Sequence, residues 1–168
     1  MIKIVNTGGT FSKVYNPITG ELEVRDDLIS FLKEIVDETL MGKNYNFKYY
    51  QIIGKDSLDI NDEDRKNLLN FVNNLDGENV LIIHGTDTID KSAEVLSSIK
   101  NKKIILTGAL KPYSYNKVEA TANFAQSVIA FNFIQKGVYI SLNGVIDNYK
   151  NVVKNREKGY FKIKNINM

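Results

Sequence analysis

One stretch, Val80-Leu81-Ile82-Ile83-His84-Gly85-Thr86-Asp87-Thr88, constrains the possible folds more than any other. Its consecutive apolar residues suit a strand buried on both faces, as in a parallel sheet. The polar half follows at once: Gly85 lets the backbone turn sharply, Thr86 brings a hydroxyl and Asp87 a carboxylate. Helix-compatible sequence occupies 89–99. Strand, polar turn and helix in that order place functional groups at the carboxyl edge of an open α/β sheet.

The same unit recurs along the chain. A first strand at 2–5 runs into Asn6-Thr7-Gly8-Gly9-Thr10-Phe11, whose paired glycines permit close backbone approach to a ligand. This turn lacks the lysine of a phosphate-binding loop and the spacing of a dinucleotide fingerprint. Residues 15–21, with Pro17 and Gly20, form an exposed turn that serves either as a lid or as an ordinary hairpin tip. A helix capped by Asp26 or Asp27 runs to about Leu40, with Leu28, Leu32, Ile35 and Val36 on one face. The aromatic and β-branched stretch 47–53 reads as a strand, followed by a polar turn at 54–59. The next helix starts at Asn61 or Asp62 and turns Leu68, Leu69, Val72 and Leu75 to the core.

A fourth strand at 103–106 ends in Thr107-Gly108-Ala109-Leu110-Lys111-Pro112. A helix over 118–133 is rich in small residues that allow close packing, and a fifth strand at 138–142 ends in Asn143-Gly144. Residues 150–168 do not make another βα unit; a short β extension is expected around 160–163. The alternation predicts a single α/β domain over 1–168: an open parallel sheet, joined by right-handed crossovers, with helices on both faces.

Composition narrows the chemistry. The 168 residues include no cysteine, so disulfides, thiolate catalysis and cysteine-ligated metals are excluded. A net charge of +2 does not by itself call for a nucleic-acid partner. No apolar run approaches the roughly 20 residues of a membrane span, and the run at 1–5 is too short for a signal peptide. The expectation is a cytoplasmic enzyme or binding domain with no cofactor, no metal and no membrane contact.

In a parallel sheet the post-strand turns open on one edge. Residues 7–10, 56–59, 85–88 and 107–111 are therefore expected on one rim, rich in hydroxyls, carboxylates and glycine backbone. Such a rim suits a small polar ligand, and it can host nucleophilic attack by a threonine hydroxyl. That hydroxyl needs a base; lysine can supply it where burial or nearby cations lower its pKa from about 10.4.

Thr7-Gly8-Gly9-Thr10, Asp56-Ser57-Leu58-Asp59, His84-Gly85-Thr86-Asp87-Thr88 and Thr107-Gly108-Ala109-Leu110-Lys111-Pro112 resemble, in order, the signatures of the bacterial-type L-asparaginase family. The resemblance runs from Ile4 to about Lys154 and covers the amino-terminal domain of the usual two-domain enzyme, so a short single-domain form is expected. It implies a three-layer sandwich of the Rossmann or flavodoxin kind, hydrolysis of L-asparagine or L-glutamine to release ammonia, no cofactor, and a homo-oligomer. By the resemblance, Thr10 is the nucleophile, Tyr15 polarises it, and Thr86, Asp87 and Lys154 form a hydroxyl–carboxylate–ammonium unit. Lys154 is carried over by its spacing from Asn143. Ser57 holds the substrate α-carboxylate, and Gly9, Asp56, Gly85 and Ala109 join it as substrate-binding residues. Backbone N–H groups of the glycine turns would serve as oxyanion donors. In the two-domain enzymes a partner's second domain gives an acidic residue to the substrate amino group.

Plainer roles stand beside these. His84, the only histidine, ends a buried strand and reads as structural; Thr7 shapes the glycine turn; Lys111 is a loop or surface lysine. Asp59 is either a substrate contact or a turn-former. Six cations, Lys150, Lys154, Arg156, Lys158, Lys162 and Lys164, face one acid, Glu157, over 150–168. A solvated basic tail is preferred there over a phosphate-binding one. Two alternatives to the asparaginase are a noncatalytic amino-acid-binding module and an RNA-associated amidase or amidotransferase component.

Overall fold

The computed structural model describes residues 1–25 and 28–164. The expected capping by Asp26 or Asp27 falls outside them. At the centre lie β1 (Ile2–Gly8), β4 (Phe47–Lys55), β5 (Asn79–Ile83), β6 (Lys103–Thr107) and β7 (Gly137–Leu142). Two further strands, β2 (Lys13–Asn16) and β3 (Glu21–Val24), pair as an antiparallel hairpin outside this sheet, with Asn16 opposite Glu21. The 15–21 segment is therefore the tip of a hairpin. The central sheet has the order β4-β1-β5-β6-β7-β8, where β8 (Val145–Asn148) closes the edge antiparallel and the other five strands are parallel.

The helices are α1 (Leu28–Glu38), α2 (Asp62–Asn74), α3 (Ile89–Leu96) and α4 (Lys117–Ala130). Alternation along β5 explains why they cover both faces. Val80 and Ile82 point to α2 and α3, packing with Leu68, Val72, Ile89, Ala93 and Leu96. Leu81 and Ile83 point the other way, into a layer built from Leu28, Leu32 and Ile35 of α1 and Phe124 and Val128 of α4. The expected helix-forming residues accordingly face the core, although α1, α3 and α4 each end sooner than the periodicity suggests. Asn61 starts α2 with a reciprocal capping box: its side chain accepts from Asp64 N (2.9 Å), and Asp64 Oδ2 accepts from Asn61 N (3.0 Å).

The crossovers do not all share one hand. From β1 the chain crosses through α1 on one face to β4, then returns through α2 on the opposite face to β5, and α3 continues in that direction on the same face to β6. Reversing both direction and face preserves handedness, so these three match and follow the right-handed rule. The β6–α4–β7 crossover continues in the direction of α2 and α3 but lies on the face of α1. It has the opposite hand, which corrects the expectation of uniform right-handed connections. On the opposite face α3 packs against β7, and the hairpin of β9 (Val152–Asn155) and β10 (Tyr160–Ile163) lies beside it over β8, burying Val152 and Phe161 in the core layer that holds Leu142 and Ile89.

Candidate active site

The chain enters the sheet at β1, goes to one side, and returns to the other at β5. The carboxyl ends of β1 and β5 therefore flank the point where strand order reverses, where open α/β sheets leave a crevice. The turns after them meet there. A Cβ on Gly9 (φ +82°) would lie 2.3 Å from Gly85 Cα, and one on Gly85 would lie 2.6 Å from Ser57 Cβ. Only glycine lets the three turns approach this closely, and the approach sets Thr10, Ser57 and Thr86 around one rim.

The turn after β5 carries the densest chemistry. Lys154 Nζ donates to Asp87 Oδ1 (2.7 Å) and to Thr86 Oγ1 (2.9 Å). Thr86 is 5% exposed, so this contact is largely shielded from water. Arg156 adds a second cation, donating from Nη1 to Asp87 Oδ1 (3.3 Å) and from Nη2 to the Asp87 carbonyl (2.9 Å). Both cations come from the β9–β10 hairpin, whose Lys154 reaches Thr86 from 68 residues along the chain. The basic stretch at 150–164 is thus engaged in part: Lys154 and Arg156 are tied to the site, and Lys164 Nζ donates to the Lys150 carbonyl (2.6 Å). A cavity of about 150 Å³ lies between this hairpin and the start of α3, lined by Thr86, Asp87, Asp90, Lys154 and Arg156.

The Ser57 turn is locked to the same unit. Ser57 Oγ accepts from Asp87 N (3.2 Å), which leaves its own proton for a ligand. Thr88 Oγ1 donates to the Ser57 carbonyl (2.6 Å) and accepts from Arg65 Nη2 (3.2 Å). Arg65 is buried, and its Nε has no partner among the described residues. Asp56 is paired with Lys13 (2.6 Å), which ties the β2–β3 hairpin to this turn. Burial opposes ionisation of Asp56, but the Lys13 ammonium and the backbone N–H groups of Leu58 and Ser57 outweigh it and hold the carboxyl below its usual value.

Thr10 opens a short 3-10 turn (Thr10–Ser12) after Gly9 and is half-buried. The amides of Gly8 and Gly9 are already spent, on Asn6 Oδ1 (2.8 Å) and the Lys55 carbonyl (2.9 Å). The glycine N–H groups of that turn therefore do not face a ligand, contrary to the expected oxyanion role. Tyr15 lies apart: it sits on β2 opposite Leu22, is 49% exposed, and has no hydrogen bond to Thr10. Ala109 is buried in the loop after β6. Glu119 holds that loop, accepting from Leu110 N and Lys111 N (both 2.9 Å). Thr7 Oγ1 donates to the Ile83 carbonyl (2.9 Å), stitching β1 to β5, and Asp59 closes the turn with its N–H on the Asp56 carbonyl (3.0 Å).

His84 is fully buried. Its Nδ1 is 2.8 Å from the Gly85 carbonyl and its Nε2 is 2.8 Å from Ser92 Oγ. Burial lowers its pKa from 6.5 to about 4, so the ring is neutral: Nδ1–H donates to Gly85 and Nε2 accepts from Ser92. It supports the turn from beneath and hydrogen-bonds to none of the side chains of Thr10, Ser57, Thr86 or Lys154. Sequence reasoning passed over Arg65, Lys13 and Glu119, and read Arg156 only as one cation of a solvated tail. Arg65, Lys13 and Arg156 have partners far along the chain, Glu119 holds a loop only eight to nine residues before it, and none stands inside a recognisable motif.

The family model for the asparaginase amino-terminal domain matches residues 1–168. The chain belongs to the asparaginase family. Among curated relatives, a glutamyl-tRNA(Gln) amidotransferase subunit from Methanococcus maripaludis is 30% identical over 157 residues, covering 85% of this chain and 35% of that protein. L-asparaginase 2 of Bacillus subtilis is 24% identical over 162 residues, 91% of this chain and 43% of its own. The asparaginase-family chain described here thus spans well under half the length of these relatives. In three dimensions it resembles a probable cytoplasmic L-asparaginase from Campylobacter jejuni, with a TM-score of 0.80 and 26% identity over 98% of this chain and 53% of that one. The fold of the Thermococcus kodakarensis L-asparaginase is also similar, with a TM-score of 0.75.

Proposed function

We propose that this chain carries the ammonia-releasing site of an L-asparaginase, acting by threonine nucleophilic attack on the side-chain amide of L-asparagine. The observation that carries the reading is the Lys154 contact to both Thr86 Oγ1 and Asp87 Oδ1 on the rim where the Ser57 and Gly9 turns meet. Lysine anchored by a carboxylate and touching a shielded hydroxyl is an arrangement suited to moving a proton through that hydroxyl.

In this reading Ser57 donates its free proton to the substrate α-carboxylate, which fixes the distance to the reacting amide. Thr10, at the open end of the Gly9 turn, attacks the amide carbon, and Tyr15 polarises it when the hairpin closes over substrate. The Thr86 hydroxyl passes a proton between the reacting centre and Lys154 while Asp87 holds the lysine in place and Arg156 steadies Asp87. Ammonia leaves, a threonine ester forms, and water hydrolyses it to L-aspartate. The amides of Thr10 and Thr86, on turns that present them to the rim, would hold the developing oxyanion. Gly9, Gly85, Asp56 and Ala109 shape the substrate pocket. A cytoplasmic setting and a homo-oligomeric state belong to the same proposal; the similar Campylobacter protein is described as cytoplasmic.

The second reading follows from the names of the relatives, most of which are amidotransferase subunits. In such a protein the same amide cleavage would pass its ammonia to an acceptor. Steady-state ammonia release with L-asparagine, L-glutamine and D-asparagine side by side tests both. Turnover of L-asparagine supports the asparaginase. Aspartate binding without turnover of any of the three would point to a binding module, or to a component awaiting its acceptor complex.

A further inference from the structure

We propose that Asn143 is a positioning residue for Lys154: its side chain clamps the β9–β10 hairpin at the residue facing Lys154, and so sets where the ammonium meets Thr86 and Asp87. The proposal deepens the amidase reading and rests on it.

Asn143 and Gly144 form the two-residue turn between β7 and β8, with Leu142 paired to Val145. Their φ values are +53° and +80°. A tight hairpin turn of this kind wants left-handed backbone at both positions, which explains an asparagine but does not require one, since glycine suits the first position at least as well. The side chain does more than the turn demands. Its Oδ1 accepts from Phe161 N (3.2 Å), and its Nδ2 donates to Glu119 Oε1 (3.3 Å). Its backbone N–H donates to Asn123 Oδ1 (2.9 Å). Both polar ends of the side chain are therefore used outside its own turn.

The partner that matters is Phe161, which pairs with Lys154 across the hairpin. Apart from the Lys154 and Arg156 bonds to the site itself, the hairpin is held down by the Val152 and Phe161 side chains, in apolar contacts without a preferred direction. The hydrogen bond from Phe161 N is directional and fixes the hairpin along the sheet edge. Through Glu119, the same clamp is joined to the Leu110–Lys111 amides of the Ala109 loop. Two rims of the candidate site thus share one anchor. The Lys154 contacts, at 2.7 and 2.9 Å, leave little room for displacement of the hairpin.

The test uses the full chain as Asn143→Gly, which favours the turn backbone while removing both side-chain bonds. A displacement of about 1 Å at a reacting group can cost on the order of a hundredfold in rate, and that is the expected fall in kcat on L-asparagine. KM should stay within about threefold, because the Ser57 turn does not depend on the clamp. Asn143→Asp keeps the acceptor for Phe161 N and should retain most of the turnover. Nitrogen-15 NMR of lysine-labelled protein gives a second readout, independent of activity: the Lys154 ammonium, held by two oxygens, should exchange slowly in the parent and in Asn143→Asp, and lose that protection in Asn143→Gly. Unchanged kcat and ammonium signal in Asn143→Gly overturn the proposal. So does failure of that variant to fold, since the clamp would then serve the fold as a whole. If the parent releases no ammonia, the amidase reading fails by itself, and the NMR comparison still decides whether Asn143 positions Lys154.

Discussion

Acid should destabilise this fold through one identifiable group before its carboxylates protonate. His84 is fully buried with both ring nitrogens satisfied as a neutral imidazole, and burial lowers its pKa from 6.5 to about 4. As pH falls below about 6.5 the unfolded chain takes up a proton that the folded one refuses, so stability is complete above that value and declines toward pH 4. The gap between 6.5 and about 4, at about 1.36 kcal/mol per pH unit, amounts to roughly 3 kcal/mol. The paired carboxylates of Asp56 and Asp64 are held below their usual value of 3.8, so their loss comes later. Urea denaturation at intervals from pH 7 to 4.5 measures the decline, and NMR follows the only imidazole in the chain without ambiguity. His84→Asn is the control. Its amide can still donate to the Gly85 carbonyl, but the Ser92 hydroxyl loses its acceptor, at a cost of about 1–3 kcal/mol at neutral pH. Above pH 4.5 its stability should be nearly flat. A folded-state imidazole titrating near 6.5, or the parent's pH slope persisting in His84→Asn, would refute the reasoning.

Three further outcomes are expected. Lys154→Met and Thr86→Val should each lower ammonia release by about 10²–10⁴-fold with the fold intact by circular dichroism, since each removes one end of the 2.9 Å contact; near-normal turnover in both would eliminate the assigned unit. Ser57→Ala should act chiefly on KM for L-asparagine, with a smaller change in kcat, because the lost proton serves carboxylate binding. Gly9→Ala should cost at least about 2 kcal/mol in denaturant midpoint measurements, because its Cβ would meet Gly85 Cα at 2.3 Å in a left-handed conformation. Gly20→Ala, where a Cβ meets nothing within 4 Å, should cost clearly less.

Much of the fold could be read from local pattern. The apolar run at 80–83, the small-residue helix beginning near Lys117 and the asparagine cap of α2 are short-range signals, and each appears where its chemistry indicates. The β7–β8 hairpin was missed although Asn-Gly is the strongest two-residue hairpin signal, because the chain around it reads as the end of a βα series, and the edge strand β8 is antiparallel to the sheet that was expected to be parallel. The turn residues of the candidate site were legible from local pattern. Their supports were not: Arg65 and Arg156 act across 23 and 69 residues, and Glu119 acts on backbone amides of a loop, atoms that no periodicity reveals.

The sequence by itself therefore determined the five parallel strands, the helices α1 to α4 and the polar turns that one edge of the sheet must collect, but not β2, β3, β8 or β9. The tertiary structure alone decided how Lys154 joins them. Strand and helix propensities are the same for either hand of a crossover, so nothing local marks α4 as lying on the face of α1. The opposite face is shared by α3 over β7 and the β9–β10 hairpin over β8, where Val152 and Phe161 bury their side chains and Lys154 is carried to Thr86 and Asp87. A contact between residues 68 apart depends on how these faces are covered together, which no local stretch of the sequence encodes.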